Sequence, residues 1–278
     1  MRAMRMLAIA AALGGCASGS PIQAQAPSPV GRTFHYERTN IAGGEEEQVF
    51  IHRAAPDRVE VYKMVERCTK AAFVTAYIDP QTGVATRLVA ARLLPGGANK
   101  PYGTIETRQL DGGGTAIRVE LQTVNGPLSE AVALVPGPWH DYDYDLGTFA
   151  ASMQARAGSR ADYSFQMTMV GQLPEAPDRF FHPLGPATAR FVAAEKHMGV
   201  DTLRFDVSGE AFGSFGGGPL WVDARDGHII DVQWGRPNHD GYKDFRLRLI
   251  AEEPAGEAAW TALLKRHYEG CPPSTKAS

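Results

Sequence analysis

Seven consecutive residues, Trp139-His140-Asp141-Tyr142-Asp143-Tyr144-Asp145, form the densest group of polar side chains in the chain. In an extended strand side chains alternate between faces, so Asp141, Asp143 and Asp145 line one face and Tyr142 and Tyr144 the other. Three carboxylates on one face suit a hard cation such as Ca²⁺, and with His140 they outline a metal-assisted hydrolase centred on His140 to Asp145. The spacing of an EF-hand fails, because its glycine position falls on Leu146 and its bidentate glutamate position on Ser152. A structural reading competes. The acids lead into a helix over 147–157, where they favour the helix dipole and cap free N–H groups, while the two tyrosines anchor the segment to the core.

The other reactive residues form no known catalytic pattern. The eight histidines include no H-x-H, no H-E-x-x-H and no pair at i, i+4. His239-Asp240 falls in the loop Pro237-Asn238-His239-Asp240-Gly241 and reads as a turn, and His182 reads as part of an apolar loop. No G-x-S-x-G elbow occurs; Ser214 sits in a glycine-rich run that a strand follows, so a hairpin loop is expected there. A phosphate cradle would need a helix after the glycines. Glu45-Glu46-Glu47 reads as solvated surface. These residues nominate no acid/base couple and no cofactor.

The strands that must position these groups show a period of two. Arg58 to Met64 alternates polar and apolar, and Val59, Val61 and Met64 are expected on one face. Ile117 to Gln122 and Phe245 to Leu249 alternate likewise. Further strands are expected near 32–39, 47–53, 70–78, 84–93, 102–109, 129–135, 161–170, 188–196, 201–208, 219–223 and 228–234, about fourteen in all. Asp79-Pro80-Gln81-Thr82-Gly83 and Asp223-Ala224-Arg225-Asp226-Gly227 supply turns with a starting Asp and a permissive Gly. The match of Tyr77-Ile78-Asp79-x-x-x-Gly83 to Trp221-Val222-Asp223-x-x-x-Gly227 hints at an internal repeat. Two helices are expected, over 147–157 and over 257–268, the second with Trp260, Leu263, Leu264 and His267 on one face. The fold class is mainly β, a β-rich α+β arrangement: a long curved antiparallel sheet or half-barrel with about two helices packed on it. Residues 32–271 read as one domain or as two similar halves, 32–146 and 147–271.

Upstream, Arg2 and Arg5 precede an apolar run of about eight residues, Met6 to Leu13, far short of the roughly 20 needed to span a bilayer. Residues 1–15 therefore read as a signal peptide. Leu13-Gly14-Gly15-Cys16 resembles the lipobox of bacterial lipoproteins, which implies a lipid on Cys16; Ala17 after it implies sorting to the outer membrane. Ala24-Gln25-Ala26 offers an alternative cleavage that would release a soluble periplasmic protein, although Pro27 fits that cleft poorly. A chance Gly-Cys in an apolar leader is the third reading. Residues 16–31, small and Pro-rich, read as a flexible tether, and 272–278 as a disordered tail.

Three cysteines are present, Cys16, Cys68 and Cys271. With Cys16 lipidated, the other two are left as a disulfide pair or as two separate buried thiols. A bond between them would close a loop of about 200 residues and contribute roughly 3–5 kcal/mol. The formal charge of −3, with no Lys/Arg block, argues against nucleic acid as partner.

The leader, tether and β-meander, the Leu220-Trp221-Val222-Asp223 strand and the closing pattern Tyr242-x-x-Phe245-x-Leu247-x-Leu249 together resemble the LolA/LolB-like superfamily of envelope proteins. The likeness covers about residues 160–250, and 32–135 loosely. It implies a curved antiparallel half-barrel around helices and carries over no functional residue. The expected function is a non-catalytic envelope lipoprotein that binds a lipid, lipoprotein or other amphiphile in the sheet's concavity, with Trp221, Trp234 and Trp260 as candidate lining. The alternatives are an assembly partner of the outer membrane without a small ligand, and the hydrolase named above.

Overall fold

A computed structural model describes residues 27–111, 114–123, 126–171 and 179–272. The leader, Cys16, most of the tether and residues 273–278 lie outside the described residues. The strands are β1 (Thr33–Thr39), β2 (Glu47–Ala55), β3 (Arg58–Met64), β4 (Ala72–Ile78), β5 (Ala85–Leu93), β6 (Asn99–Gln109), β7 (Thr115–Thr123), β8 (Gly126–Leu134), β9 (Trp139–Asp141), β10 (Tyr163–Val170), β11 (Phe181–His197), β12 (Val200–Ser208), β13 (Gly218–Asp223), β14 (Ile229–Trp234) and β15 (Phe245–Glu253). The helices are α1 (Gly147–Ala155) and α2 (Glu257–Arg266), both within the expected ranges.

All fifteen strands join one sheet in the order β8-β7-β6-β5-β4-β3-β2-β1-β15-β14-β13-β12-β11-β10-β9. The sheet is mainly β in class, curled and not closed into a barrel. Every pairing is antiparallel except the short β9 beside β10. The first and last strands pair at the centre, Tyr36 opposite Leu249, so the chain's two halves are two wings joined along one seam.

Alternation sorts the residues between faces. Val49, Ile51, Val59 and Val61 point into the main core, whereas Phe50, Tyr62 and Phe73 point the other way and pack with Trp260 and Leu264 of α2. Gly147 of α1 abuts Val61 on the inner face, while Tyr62, one residue on, reaches His267 at the end of α2 on the outer face. Helix α1 is thus the inner helix, and its residues Gly147 to Met153 are all buried. The sheet curls around it. The hairpin turn at Gly83 meets α1 at Ser152, and the turn at Gly227 meets it at Met153 and Gln154.

Those two turns are the repeated sequence motif, and they are built alike. Asp79 Oδ1 accepts from the N–H groups of Gln81 and Thr82, and Asp223 Oδ1 from those of Arg225 and Asp226. Gly83 N–H donates to the Asp79 carbonyl and Gly227 N–H to that of Asp223.

Several expectations are corrected. Met64 does not share a face with Val59 and Val61; an odd number of positions separates it from them, and it packs with the outer cluster. Lys63 is the residue in phase with the valines. His182 lies inside β11, buried, with its Nε2 2.8 Å from the Gly171 carbonyl. Ser214 does lie in the hairpin connection between β12 and β13, which contains a 3-10 turn over Glu210–Phe215. The tether ends before residue 31, because Gly31 N–H donates to the Arg53 carbonyl and its own carbonyl accepts from Gly256. Cys68 and Cys271 are joined by a disulfide with Cα atoms 5.5 Å apart, fastening the end of α2 to the β3–β4 connection.

Candidate functional site

The segment after β9 is extended only as far as Asp141; residues 142–146 turn, and Asp145 and Leu146 both take left-handed backbone (φ 47° and 64°). The turn sends the three carboxylates to different partners instead of one face. Asp141, fully buried, accepts from Thr168 Oγ1 at 3.1 Å and from the N–H of Asp143 at 3.1 Å. Burial, reinforced by the charge on Asp143, pushes the Asp141 carboxyl well above its usual range. No acidic side chain caps α1, whose N-terminal flank is Leu146. Tyr142 and Tyr144 are buried in the core as anchors.

His140 points away from this turn. Its Nδ1 lies 3.2 Å from Thr148 Oγ1 and its Nε2 2.8 Å from the Tyr163 hydroxyl, among Phe149 and Phe165. Burial pushes its pKa down to about 3, so it is a neutral core histidine.

A different group converges. β1, β2 and β3 each place a charged residue at the end of an inward-facing row: Arg38 after Phe34 and Tyr36, Glu47 before Val49 and Ile51, and Lys63 after Val59 and Val61. The Lys63 ammonium donates to Asp145 Oδ2 (2.9 Å), to the Asp143 carbonyl (2.9 Å) and to His239 Nε2 (2.7 Å). Glu47 stands 3.9 Å away. Asn238 donates to Asp145 Oδ1 at 2.9 Å and to the Tyr142 carbonyl at 3.1 Å, while its own Oδ1 accepts from Arg38 Nε at 3.1 Å and from Arg38 Nη2. The Arg38 guanidinium lies over the Tyr242 ring, 3.0 Å from its centroid.

This geometry assigns the histidine's tautomer. Lys63 has only protons to give, so His239 Nε2 is the acceptor and the ring proton sits on Nδ1, which faces Asp143 Oδ1 at 2.8 Å. Burial pushes Asp143 upward, but Lys63 and then His239 outweigh it and hold the carboxyl below its ordinary range. Burial pushes Glu47 up against the pull of Lys63. Glu47, Asp145 and His239 are close enough together to hold a metal ion, yet the cation within their reach is the lysine's own ammonium. Asp223, Asp226 and His228 form a second close group, in which Asp226 is paired with Arg32 and His228, and Asp223 holds the turn.

Asp143 and His239 reach the surface in a cleft of about 390 Å³ between the two wings. Its lining mixes apolar residues, among them Ala90 and Leu121 of one wing and Met169 and Phe180 of the other, with a polar group that includes Asp143, Arg236, His239 and Asp240; Tyr102, Tyr144 and Phe215 border it too. Among the three expected tryptophans, none borders this cleft. Trp234 fills the inner core, Trp221 stacks on His197 with centroids 4.0 Å apart, and Trp260 sits under α2 beside a shallow outer groove.

Lys63, Arg38 and Glu47, and with them Asn238, were not picked out as site residues; Glu47 reads in sequence as solvated surface, but its side chain is only 12% exposed beside Lys63. A signal for the first three was present: each is a charged residue in phase with buried apolar neighbours on its strand. Asp143 was among the candidates, and His239 was seen only as a turn residue. No protein-family model matches the chain, and no curated protein matches it.

Proposed function

We propose that this protein is a non-catalytic binding protein of the bacterial cell envelope, held at a membrane by a lipid on Cys16, and that it takes one small amphiphile in the cleft between its wings. The observation that carries this reading is the cleft's mixed lining, apolar residues from both wings together with a polar group around Asp143 and His239, at a size of about 390 Å³. Ligand clefts begin at roughly 300 Å³. A space of this size suits a single short chain or ring system with its head group, not the several chains of a whole lipoprotein. The remaining concavity is filled by α1 and the aromatic residues around it.

The polar group supports binding more than catalysis. Both nitrogens of His239 are engaged, by Lys63 and Asp143, so no free imidazole base faces the cleft from that residue. The proposed membership of the LolA/LolB-like superfamily is supported by the curled antiparallel sheet around an inner helix. The described residues contain no helix long and apolar enough to cross a membrane; attachment in this reading is through the lipid.

Native mass spectrometry of protein purified from envelopes, followed by solvent extraction, tests the ligand. A bound amphiphile at about one per chain is expected, and its absence overturns the binding role. Fractionation of a Cys16→Ser variant tests the anchor: the protein is expected to move from membrane to soluble fraction, and unchanged partitioning refutes lipidation.

A further inference from the structure

We infer that the cleft selects a cationic amphiphile, an alkyl chain or ring bearing a substituted ammonium head. The inference rests on the binding role proposed above and adds the chemistry of the head group.

The argument starts from charge. Among the described residues that line the cleft, Asp143 and Asp240 are the two carboxylates and Arg236 is the one guanidinium. The Asp143 carboxylate has no lysine or arginine within ion-pair distance among the described residues, although the nearby Lys63 charge still holds it below its ordinary range. The Lys63 ammonium spends its three protons on Asp145, on the main-chain carbonyl of Asp143 and on His239, and the Asp143 carboxylate faces His239 Nδ1 instead. Asp240 is exposed, and no ion pair engages it among the described residues. Arg236 lines the same cleft; its Nη1 donates to the Ala211 carbonyl at 3.1 Å and its guanidinium lies 5.7 Å from the centre of the Phe215 ring, so two carboxylates stand against one guanidinium. The polar group therefore offers net negative charge to an incoming head group.

Aromatic faces strengthen the case. Tyr102 and Tyr144 lie close enough to Asp143 for its charge to raise both phenols further, after burial, and Phe180 lines the same cleft. Rings beside a carboxylate are the arrangement that holds a poorly hydrated ammonium: the ring faces attract the cation and the carboxylate neutralises it. An anionic head would meet Asp143 and Asp240 at the same place. Ala90, Leu121 and Met169 then cover the chain of the ligand.

The test uses three probes with one chain length, dodecyltrimethylammonium, dodecyl maltoside and dodecyl sulfate, each below its micelle concentration. Titration calorimetry on the full chain carrying Cys16→Ser avoids added detergent. The trimethylammonium probe is expected to bind about tenfold tighter than the maltoside, as one or two cation–π contacts allow, and the sulfate more weakly than either. Asp240→Asn, on the exposed rim, and Asp143→Asn are each expected to lower affinity for the trimethylammonium probe more than for the maltoside; Tyr102→Ala should reduce the preference too. Equal binding of all three heads overturns the charge selection and leaves the amphiphile reading standing. Tighter binding of the sulfate overturns it as well. Failure of every probe to bind removes both.

Discussion

His140 and Asp141 are neighbours in sequence and both fully buried, yet they respond to pH in opposite directions. Because burial holds the His140 pKa near 3 in the fold, against about 6.5 in an unfolded chain, the unfolded state takes up the proton first as pH falls. The stability that His140 contributes is complete above pH 6.5 and drains away between there and pH 3. A His140→Gln variant is therefore expected to lose about 2 kcal/mol less than wild type between pH 7 and pH 5 in urea titrations. Parallel curves would show that the ring is protonated in the fold. Asp141 is raised, so the fold holds its proton more tightly than the unfolded chain does, and stability falls as pH climbs above the unfolded value near 4. Asp141→Asn preserves the contacts to Thr168 and to the Asp143 N–H without a charge to desolvate. It is expected to match or exceed wild-type stability at pH 8; a large loss there would mean that the ionised carboxylate is needed.

Helix α1 is short and buried from Gly147 to Met153, Thr148 and Ser152 included, which suits an element enclosed by sheet and not one lying on a surface. Its placement depends on close backbone approaches. A Cβ at Gly83 would stand 2.4 Å from Ser152 N, and one at Gly227 would stand 2.4 Å from the Met153 carbonyl oxygen; both glycines also have φ above 70°. Gly83→Ala and Gly227→Ala are each expected to destabilise the protein by about 2–4 kcal/mol, overpacking added to left-handed strain. Gly43→Ala, at φ +90° with nothing within 4 Å, is the control and should cost only about 1 kcal/mol. Equal losses at all three sites in denaturant titrations would remove α1 from the explanation. The repeated Asp…Gly turn was legible in the sequence, but its purpose was not: the motif specifies a hairpin, and a common partner 70 residues away from either turn is invisible to a local pattern.

At the scale of the whole molecule, the curl brings distant parts of the sheet together. Glu130 of the edge strand β8 accepts from the N–H groups of Phe180 and Phe181 at the start of β11, and Trp139 donates to Thr107 across the interior. The cleft is what remains open between the wings. The outer face is a separate structural unit, in which α2 is held by Trp260 donating to Glu60, by Tyr62 paired with His267, and by the Cys68–Cys271 bond. Replacing both cysteines with serine is expected to cost about 3–5 kcal/mol. In hydrogen exchange, protection should fall over 257–272 while α1 keeps its own. Uniform loss across the sheet would show that the two faces unfold as one.

Period-two patterning, turn chemistry and two helical stretches were enough to establish from sequence alone a mainly β chain with about the right strands, and a disulfide was one of the two readings left open for Cys68 and Cys271. These are local signals, or simple arithmetic, and local geometry obeys them. The site was legible only in part. Asp143 was singled out because it sits in a visible cluster, but the cluster breaks up in space: a left-handed turn at Asp145 and Leu146 rotates its members apart. Lys63, Glu47, Arg38 and Asn238 come together from four segments spread over 200 residues, and their proximity is set by the order of strands across the seam and by the curl around α1. Strand order is a property of long-range pairing, which no spacing within a segment encodes. For that reason only the tertiary structure decided which charges meet, which of them remain unmatched, and where the cleft opens.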